Sequence, residues 1–339
     1  MRYTTPSMRA ELCHSIQTTL AYFEVFGYPL TKEELFERLW QPPRVGYAEY
    51  LAVLDGLAAR REVGSRHGYF FLTSGEIDVE GRRRAVLLVE EKLGIARRVV
   101  RRLAWLPFVR LAAVCNTVAA GWPGPDSDID LFIVVRAGRL WTTRFLITAL
   151  ASILNARRSR GAVANRVCLS FYVTDAGLDL SRVALPAPDI YLAYWINELI
   201  PLYERGSAMS DFVRANQWVL EYTPNSRAAP ALIPRSKVEP GLIARLTQQT
   251  GEWILGGRLG TVLEGAARQT QKLMMARRDT DRTGSALHGV VIDDTMLKFH
   301  EHDRRAEYRQ RWRERCQELS FGAGGERTSA GLSTGQTRF

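Results

Sequence analysis

Cysteine is scarce and scattered in this chain. The four residues Cys13, Cys115, Cys168 and Cys316 never pair at metal-ligand spacing, which excludes both a disulfide framework and a structural zinc module. Long apolar runs are also missing. The longest candidate, Phe145 to Leu154, is about half of the roughly 20 residues a membrane span requires, and Arg157-Arg158 closes it. No membrane is expected among the partners. The opening MRYTTPSMRAELCH lacks an apolar segment followed by small residues, so no secretory signal is read and a cytoplasmic location is expected. Two phosphate-binding signatures are absent as well: there is no G-x-x-x-x-G-K-[ST], and no G-x-G-x-x-G opening a helix after a strand. Lysine is rare, 5 residues against 41 arginines, which reads as compositional bias rather than as a built nucleic-acid patch.

The net charge is +10, and its excess lies beyond residue 100: the first hundred residues carry 14 basic and 13 acidic side chains, the remainder 32 and 23. A basic surface attracts nucleotides and anionic acceptors in general. At 339 residues and 46% apolar the chain can bury at least one good core, and its length suggests two or three domains.

The stretch that concentrates chemistry is residues 111–135, LAAVCNTVAAGWPGPDSDIDLFIVV. Side chains alternate along a strand, so Asp128 and Asp130 share one face while Ile129 and Leu131 turn to the core. Asp126 follows a run of glycine and proline and is read as a loop residue near the pair. Two carboxylates fixed this close repel unless a cation lies between them, and hard oxygen donors suit Mg²⁺ or Mn²⁺. An isolated D-x-D is more often a solvated acidic turn; the context is what lifts this one.

Around that stretch the chain reads as follows. Residues 11–27 form a helix with an apolar face. Thr31 and Glu34 form a capping box opening a second helix to about Trp40, and a third spans roughly 46–60. Glu62 to Thr73 reads as a hairpin turning near Arg66-His67-Gly68, which completes a winged-helix-like module over 1–80. Its third helix offers mostly apolar and acidic residues, so docking or stabilisation is preferred over DNA recognition. A basic helix at 81–106 reads as a solvated linker. Leu106 begins a strand, Gly138 leads into a helix to about Leu154, and residues 166–174 form another strand carrying no carboxylate. From Asp189 to about residue 320 the chain reads as helical. Pro224 to Pro240 is a linker, Arg304 to Leu319 an exposed helix, His300 to Asp303 a solvated turn, and residues 321–339 a disordered tail.

The sequence resembles the DNA polymerase beta-like nucleotidyltransferases, whose signature is a helix-borne Gly-Ser, a gap of around ten residues, and Asp-hydrophobic-Asp on a strand. Asn116-Thr117 stand where Gly-Ser is expected, and Pro125-Asp126-Ser127-Asp128-Ile129-Asp130-Leu131 matches the second half. YPLTKEEL, HGYFFL, RLWTTR, VCLSFYV, Asn197 to Leu202 and Asn216 to Asn225 extend the resemblance to a bacterial and archaeal branch over about residues 16–225. No substrate carries over from that branch. The resemblance implies an α+β fold: a polymerase beta-like mixed sheet with flanking helices over 107–188, after the winged-helix-like module and before a helical region over 189–320. It implies a metal-dependent transferase moving a nucleoside monophosphate from an NTP to a hydroxyl acceptor of unknown identity. Asp128 and Asp130 would be catalytic and hold Mg²⁺ or Mn²⁺, while Asn116, Thr117, Ser127 and Arg144 would face the nucleotide. A third carboxylate would come from Asp175, Asp179 or Glu198, or the site has two carboxylates only. The competing readings are a degenerate transferase fold that binds a nucleotide or a partner without turnover, and a winged-helix DNA-binding regulator.

Overall fold

The computed structural model describes residues 5–73, 77–159, 161–226, 237–279, 289–299 and 303–322. Of the expectations above, those on His300, Glu301, His302, most of the 224–240 linker and the tail beyond 322 lie outside the described residues.

The N-terminal region is built as its local signals dictate. Helix α1 runs Pro6–Glu24, starting earlier than the apolar face alone predicts because Thr5 caps it and Pro6 is preset for the first turn. Helix α2 (Lys32–Glu37) opens on the reciprocal capping box of Thr31 and Glu34. Helix α3 (Tyr47–Ala59) buries Tyr50, Val53, Leu54 and Leu57. Strands β2 (Val63–Arg66) and β3 (Tyr69–Leu72) pair antiparallel across His67-Gly68, both at positive φ as a two-residue hairpin turn requires, and β1 (Leu30–Thr31) adds to β3.

Helix α4 (Val79–Leu103) leads to a mixed six-stranded sheet. Its central strands are β4 (Val109–Val114), β5 (Ile129–Val135) and β6 (Val167–Thr174), with the short helix α5 (Asn116–Ala119) between the first two and α6 (Leu140–Ile153) before the third. Strand β4 starts three residues later than Leu106 because Leu106 still bonds back to Leu103 and Phe108 sits at φ 67°. β4 and β5 are antiparallel, β5 and β6 parallel.

The all-helical reading after Asp189 is corrected in two places. Helix α7 (Ile190–Glu198) stops before Pro201, and Ile200–Glu204 form strand β7 on the outer edge of β4. Pro201 cannot continue a helix but is tolerated in an edge strand, where no ladder donor is needed. Further on, β8 (Val290–Ile292) and β9 (Met296–Phe299) form a hairpin that extends the sheet beyond β6. Its turn is held by Asp293, whose Oδ1 accepts from Thr295 N, Thr295 Oγ1 and Met296 N. The strand order is β7-β4-β5-β6-β9-β8. The chain is thus α+β with a mixed sheet.

Helices cover both faces. On one, α4 and α6 pack on Val114, Ile129, Leu131, Ile133 and Tyr172. Helices α9 (Leu242–Gly256) and α10 (Arg258–Asp279) complete that side, Glu264 capping α6 through the Trp141 and Thr142 N–H groups. On the other face, α7 and α8 (Ala208–Ala215) pack on Leu111, Ala113, Phe132, Val134 and Phe171. The same core runs without a break into α1, α2 and α3. Tyr22 stacks on Tyr194 with centroids 4.7 Å apart, and Trp40 on Tyr222 at 4.9 Å. Helix α11 (Arg305–Gly322), read as exposed, instead buries Arg305 and Trp312, and the Trp312 Nε1 donates to Thr18 O. No described helix is long and apolar enough to cross a membrane.

Candidate metal centre and the adjoining pocket

The alternation read from the sequence holds at the start of β5. Ile129 and Leu131 are buried among α4 and α6, while Asp128, just before the strand, and Asp130, within it, turn to the opposite face. Cys168 on β6 pairs in register with Asp130. One ligand atom from each of Asp128, Asp130 and Cys168 lies within 4.8 Å of the others.

Charges this close alter one another. Burial first, and then the Asp128 charge, push the Asp130 carboxyl up to about 6; hydrogen bonds from Asn116 and Cys168 act the other way. The Cys168 thiol is pushed up to about 12 by burial and by Asp130. It therefore stays protonated at neutral pH, as a donor to Asp130. Asp128 is held differently: Arg158 Nη1 lies 2.7 Å from its Oδ2 and 3.9 Å from Cys168 Sγ.

The loop before Asp128 hangs on one buried cation. Lys92 of α4 is 1% exposed, and its Nζ donates to Pro125 O at 3.1 Å, Ser127 O at 2.8 Å and Asn165 Oδ1 at 2.8 Å. Desolvation lowers its pKa, and Glu91, Asp128 and Asp126 oppose that. A lysine on an otherwise amphipathic helix was legible only as a charge; its role depends on a loop 33 residues away in sequence.

The expected nucleotide-facing residues divide. Asn116 is at the site: it adopts φ 56°, the left-handed region open to glycine and, at lower cost than most residues, to asparagine. The position thus keeps a glycine-like backbone without a glycine. Its Oδ1 accepts from Trp195 Nε1 at 2.7 Å and its amide bonds Asp130. Thr117 is exposed beside it. Ser127 instead ties its own loop, its Oγ accepting from Gly124 N at 2.9 Å. Arg144 is corrected outright. It belongs to α6 on the far face of the sheet, bonds Gln271 and lies 4.8 Å over the Phe299 ring. The sequence spacing from the aspartates was no guide to the face.

None of the three expected carboxylates joins the pair. Asp175 accepts from Ala137 N, Asp179 from Ser181, and Glu198 from Arg38 Nε at 3.3 Å. The third position of the cluster is Cys168, which a search for carboxylates alone overlooks. Arg158, read as part of a basic loop, was likewise missed.

Beside Asn116 lies a cavity of about 110 Å³. Eight of its twelve lining residues are aromatic: Tyr22 and Phe23 from α1, Phe26 and Tyr28 from the segment after it, Trp122, and Tyr191, Tyr194 and Trp195 from α7; Asn116, Thr117, Ala120 and Glu198 complete it. Burial raises the Glu198 pKa, against the pull of Arg38. The aromatic periodicity of α1 and α7 reads as ordinary core in sequence, and only folding brings the two helices onto one void.

No family model matches the chain, and it matches neither a curated protein nor a solved structure.

Proposed function

We propose that the chain is a metal-dependent nucleotidyltransferase with a polymerase beta-like core, moving a nucleoside monophosphate from an NTP onto a hydroxyl acceptor. The observation that carries this reading is the Asp128–Asp130 pair on one face of a central strand, bonded through Asp130 to a left-handed turn at Asn116-Thr117.

The donor set fits the ion such a reaction needs. Two carboxylates supply hard oxygens for Mg²⁺ or Mn²⁺, whereas the protonated Cys168 thiol is too soft to be a ligand for either. When bound, the ion neutralises triphosphate charge and activates the attacking hydroxyl. Asp128 and Asp130 would hold it. Lys92 keeps the Asp128 loop at the end of β5, and Asn116 holds Asp130 from the other side. Arg158, 2.7 Å from Asp128 Oδ2, would give up that carboxylate to such an ion and offer its guanidinium to the phosphates. The exposed Thr117 hydroxyl contributes a neutral hydrogen bond to a phosphate oxygen.

A second reading has its own support: with a thiol where a third carboxylate is expected, and Arg158 on Asp128, the domain binds a nucleotide without turning it over. Incubation with α-labelled NTPs, Mn²⁺ and a small-molecule extract separates the two. Transfer is expected to give a labelled product with the wild type and none with Asp128→Asn. Nucleotide binding without any product favours the second reading, and equal labelling by both proteins rejects the first.

A further inference from the structure

We propose that the aromatic cavity beside Asn116 is the acceptor subsite and that it takes a small, neutral, single-ring phenol. This rests on the transferase reading above for its chemistry, though not for the binding itself.

The walls select the ring. Five of the aromatic residues come from two helices, Tyr22 and Phe23 of α1 and Tyr191, Tyr194 and Trp195 of α7, and Phe26 follows in the turn after α1. Aromatic rings prefer edge-to-face and offset contacts with other rings, so such a wall gains more from an aromatic guest than from an aliphatic one of equal size. A void of about 110 Å³ is room enough for one ring.

The charges select a neutral guest. Glu198 is the one carboxylate among the lining residues, and Arg38 already neutralises it at 3.3 Å. Arg38 and Arg82 are both committed to Glu34, at 3.9 Å and 2.7 Å, so neither is offered to an anion. The scarcity of polar partners argues against a nucleobase. Both ends of the Asn116 amide are taken, by Trp195 and by Asp130, and a buried base edge would lose its hydrogen bonds to water without replacement.

The chemistry selects a phenolic hydroxyl over an alkyl one. In the cluster a thiol, Cys168, stands where a third carboxylate would serve as base. A phenol, with a pKa of about 10, surrenders its proton far more readily than an aliphatic alcohol. With the ring in the cavity, its hydroxyl lies toward Asn116 and Thr117, the side joined to Asp130. The phenolic oxygen then bonds the α-phosphorus as the bond between that phosphorus and the α–β bridging oxygen breaks. Pyrophosphate leaves with the bridging oxygen and its electron pair, and the phenolic proton passes to water.

The test is ¹⁹F NMR titration of 4-fluorophenol, with cyclohexanol and benzylamine as competitors, without metal or nucleotide. The wild type is expected to bind 4-fluorophenol, cyclohexanol to compete about tenfold less well than unlabelled phenol, and benzylamine not to compete. Ala120→Phe fills the cavity and is expected to abolish binding; should it fail to fold, Phe26→Leu removes one wall ring and is expected to weaken binding several-fold. No binding by the wild type, cyclohexanol competing as well as phenol, or unchanged binding in the folded cavity variants overturns the proposal. The Asp128→Asn/Asp130→Asn protein is expected to bind the phenol as the wild type does. Phenol binding without NTP-dependent transfer of a nucleoside monophosphate to the hydroxyl would sink the transferase reading and keep the site; transfer to aliphatic alcohols without phenol binding would do the reverse.

Discussion

The indole Nε1 of Trp195 donates to Oδ1 of Asn116 across 2.7 Å, and that bond decides which end of the amide faces Asp130. An acceptor turned toward a carboxylate would repel it; a donor turned toward it stabilises the charge. Helix α7 thereby sets the electrostatics of a strand it does not pair with.

Replacing Asn116 separates its backbone role from its side-chain role. Asn116→Gly keeps the φ of 56° without strain but gives up the side-chain bonds to Trp195 and Asp130. Asn116→Ala keeps neither the amide nor an easy left-handed backbone, and is expected to be about 1–2 kcal/mol less stable than Asn116→Gly. Thermal denaturation of the two variants reads the difference; equal losses would mean the conformation is not what the residue supplies.

Lys92→Met leaves the carbonyls of Pro125 and Ser127 and the Asn165 amide oxygen without their shared donor. A loss of roughly 1–3 kcal/mol is expected, the scale for buried polar groups left unsatisfied. Because the freed loop carries Asp128, Mn²⁺ affinity is expected to fall in the same variant even at temperatures where it is fully folded. Unchanged metal affinity would show that the loop is positioned by other contacts.

On the proposed reading, Arg158 and a divalent ion compete for Asp128. Removing the guanidinium in Arg158→Ala takes away a counter-charge 2.7 Å from Oδ2. Mn²⁺ is expected to bind this variant more tightly than wild type when no nucleotide is present, by a few-fold given that the pair is partly exposed. Electron paramagnetic titration of free Mn²⁺ measures it, and weaker binding would contradict the exchange.

A second ionic cluster governs acid stability. Arg305 donates to Asp189 Oδ2 at 2.7 Å and to Asp303 Oδ2 at 2.6 Å, with Lys298 3.3 Å from Asp303. Burial works to raise the Asp303 pKa, but the Arg305 hydrogen bonds and charge, with Lys298 behind them, hold it well below the usual carboxylate range. A folded-state pKa below the unfolded value gives stability that is present above about pH 4 and is lost as pH falls toward the folded value. The melting temperature is therefore expected to drop below about pH 4 in the wild type, and less steeply in Asp303→Asn. Arg305→Met strands the buried Asp189 and is expected to cost about 3–5 kcal/mol at neutral pH.

What the sequence made legible was local. The Thr31–Glu34 box, the His67-Gly68 turn and the alternation through Asp128 and Asp130 each rest on residues within a few positions of one another, and each stands in the structure. What was missed is non-local. Cys168 reaches the aspartates only because β6 runs parallel to β5 in that register, and Arg144 is lost to the site because α6 crosses to the opposite face. The strands β7, β8 and β9 had local signals, Pro201 and the Asp293 turn, outweighed in the reading by the helical pattern around them.

The central claim is a metal-dependent nucleotide site at Asp128 and Asp130, and calorimetric titration of ATP and GTP in Mn²⁺ tests it most directly. The account predicts that at least one nucleotide binds the wild type, only with the metal, and that binding vanishes in the Asp128→Asn/Asp130→Asn protein while its fold is retained. Nucleotide binding that survives the double replacement, or no binding of either nucleotide to the wild type, would contradict it.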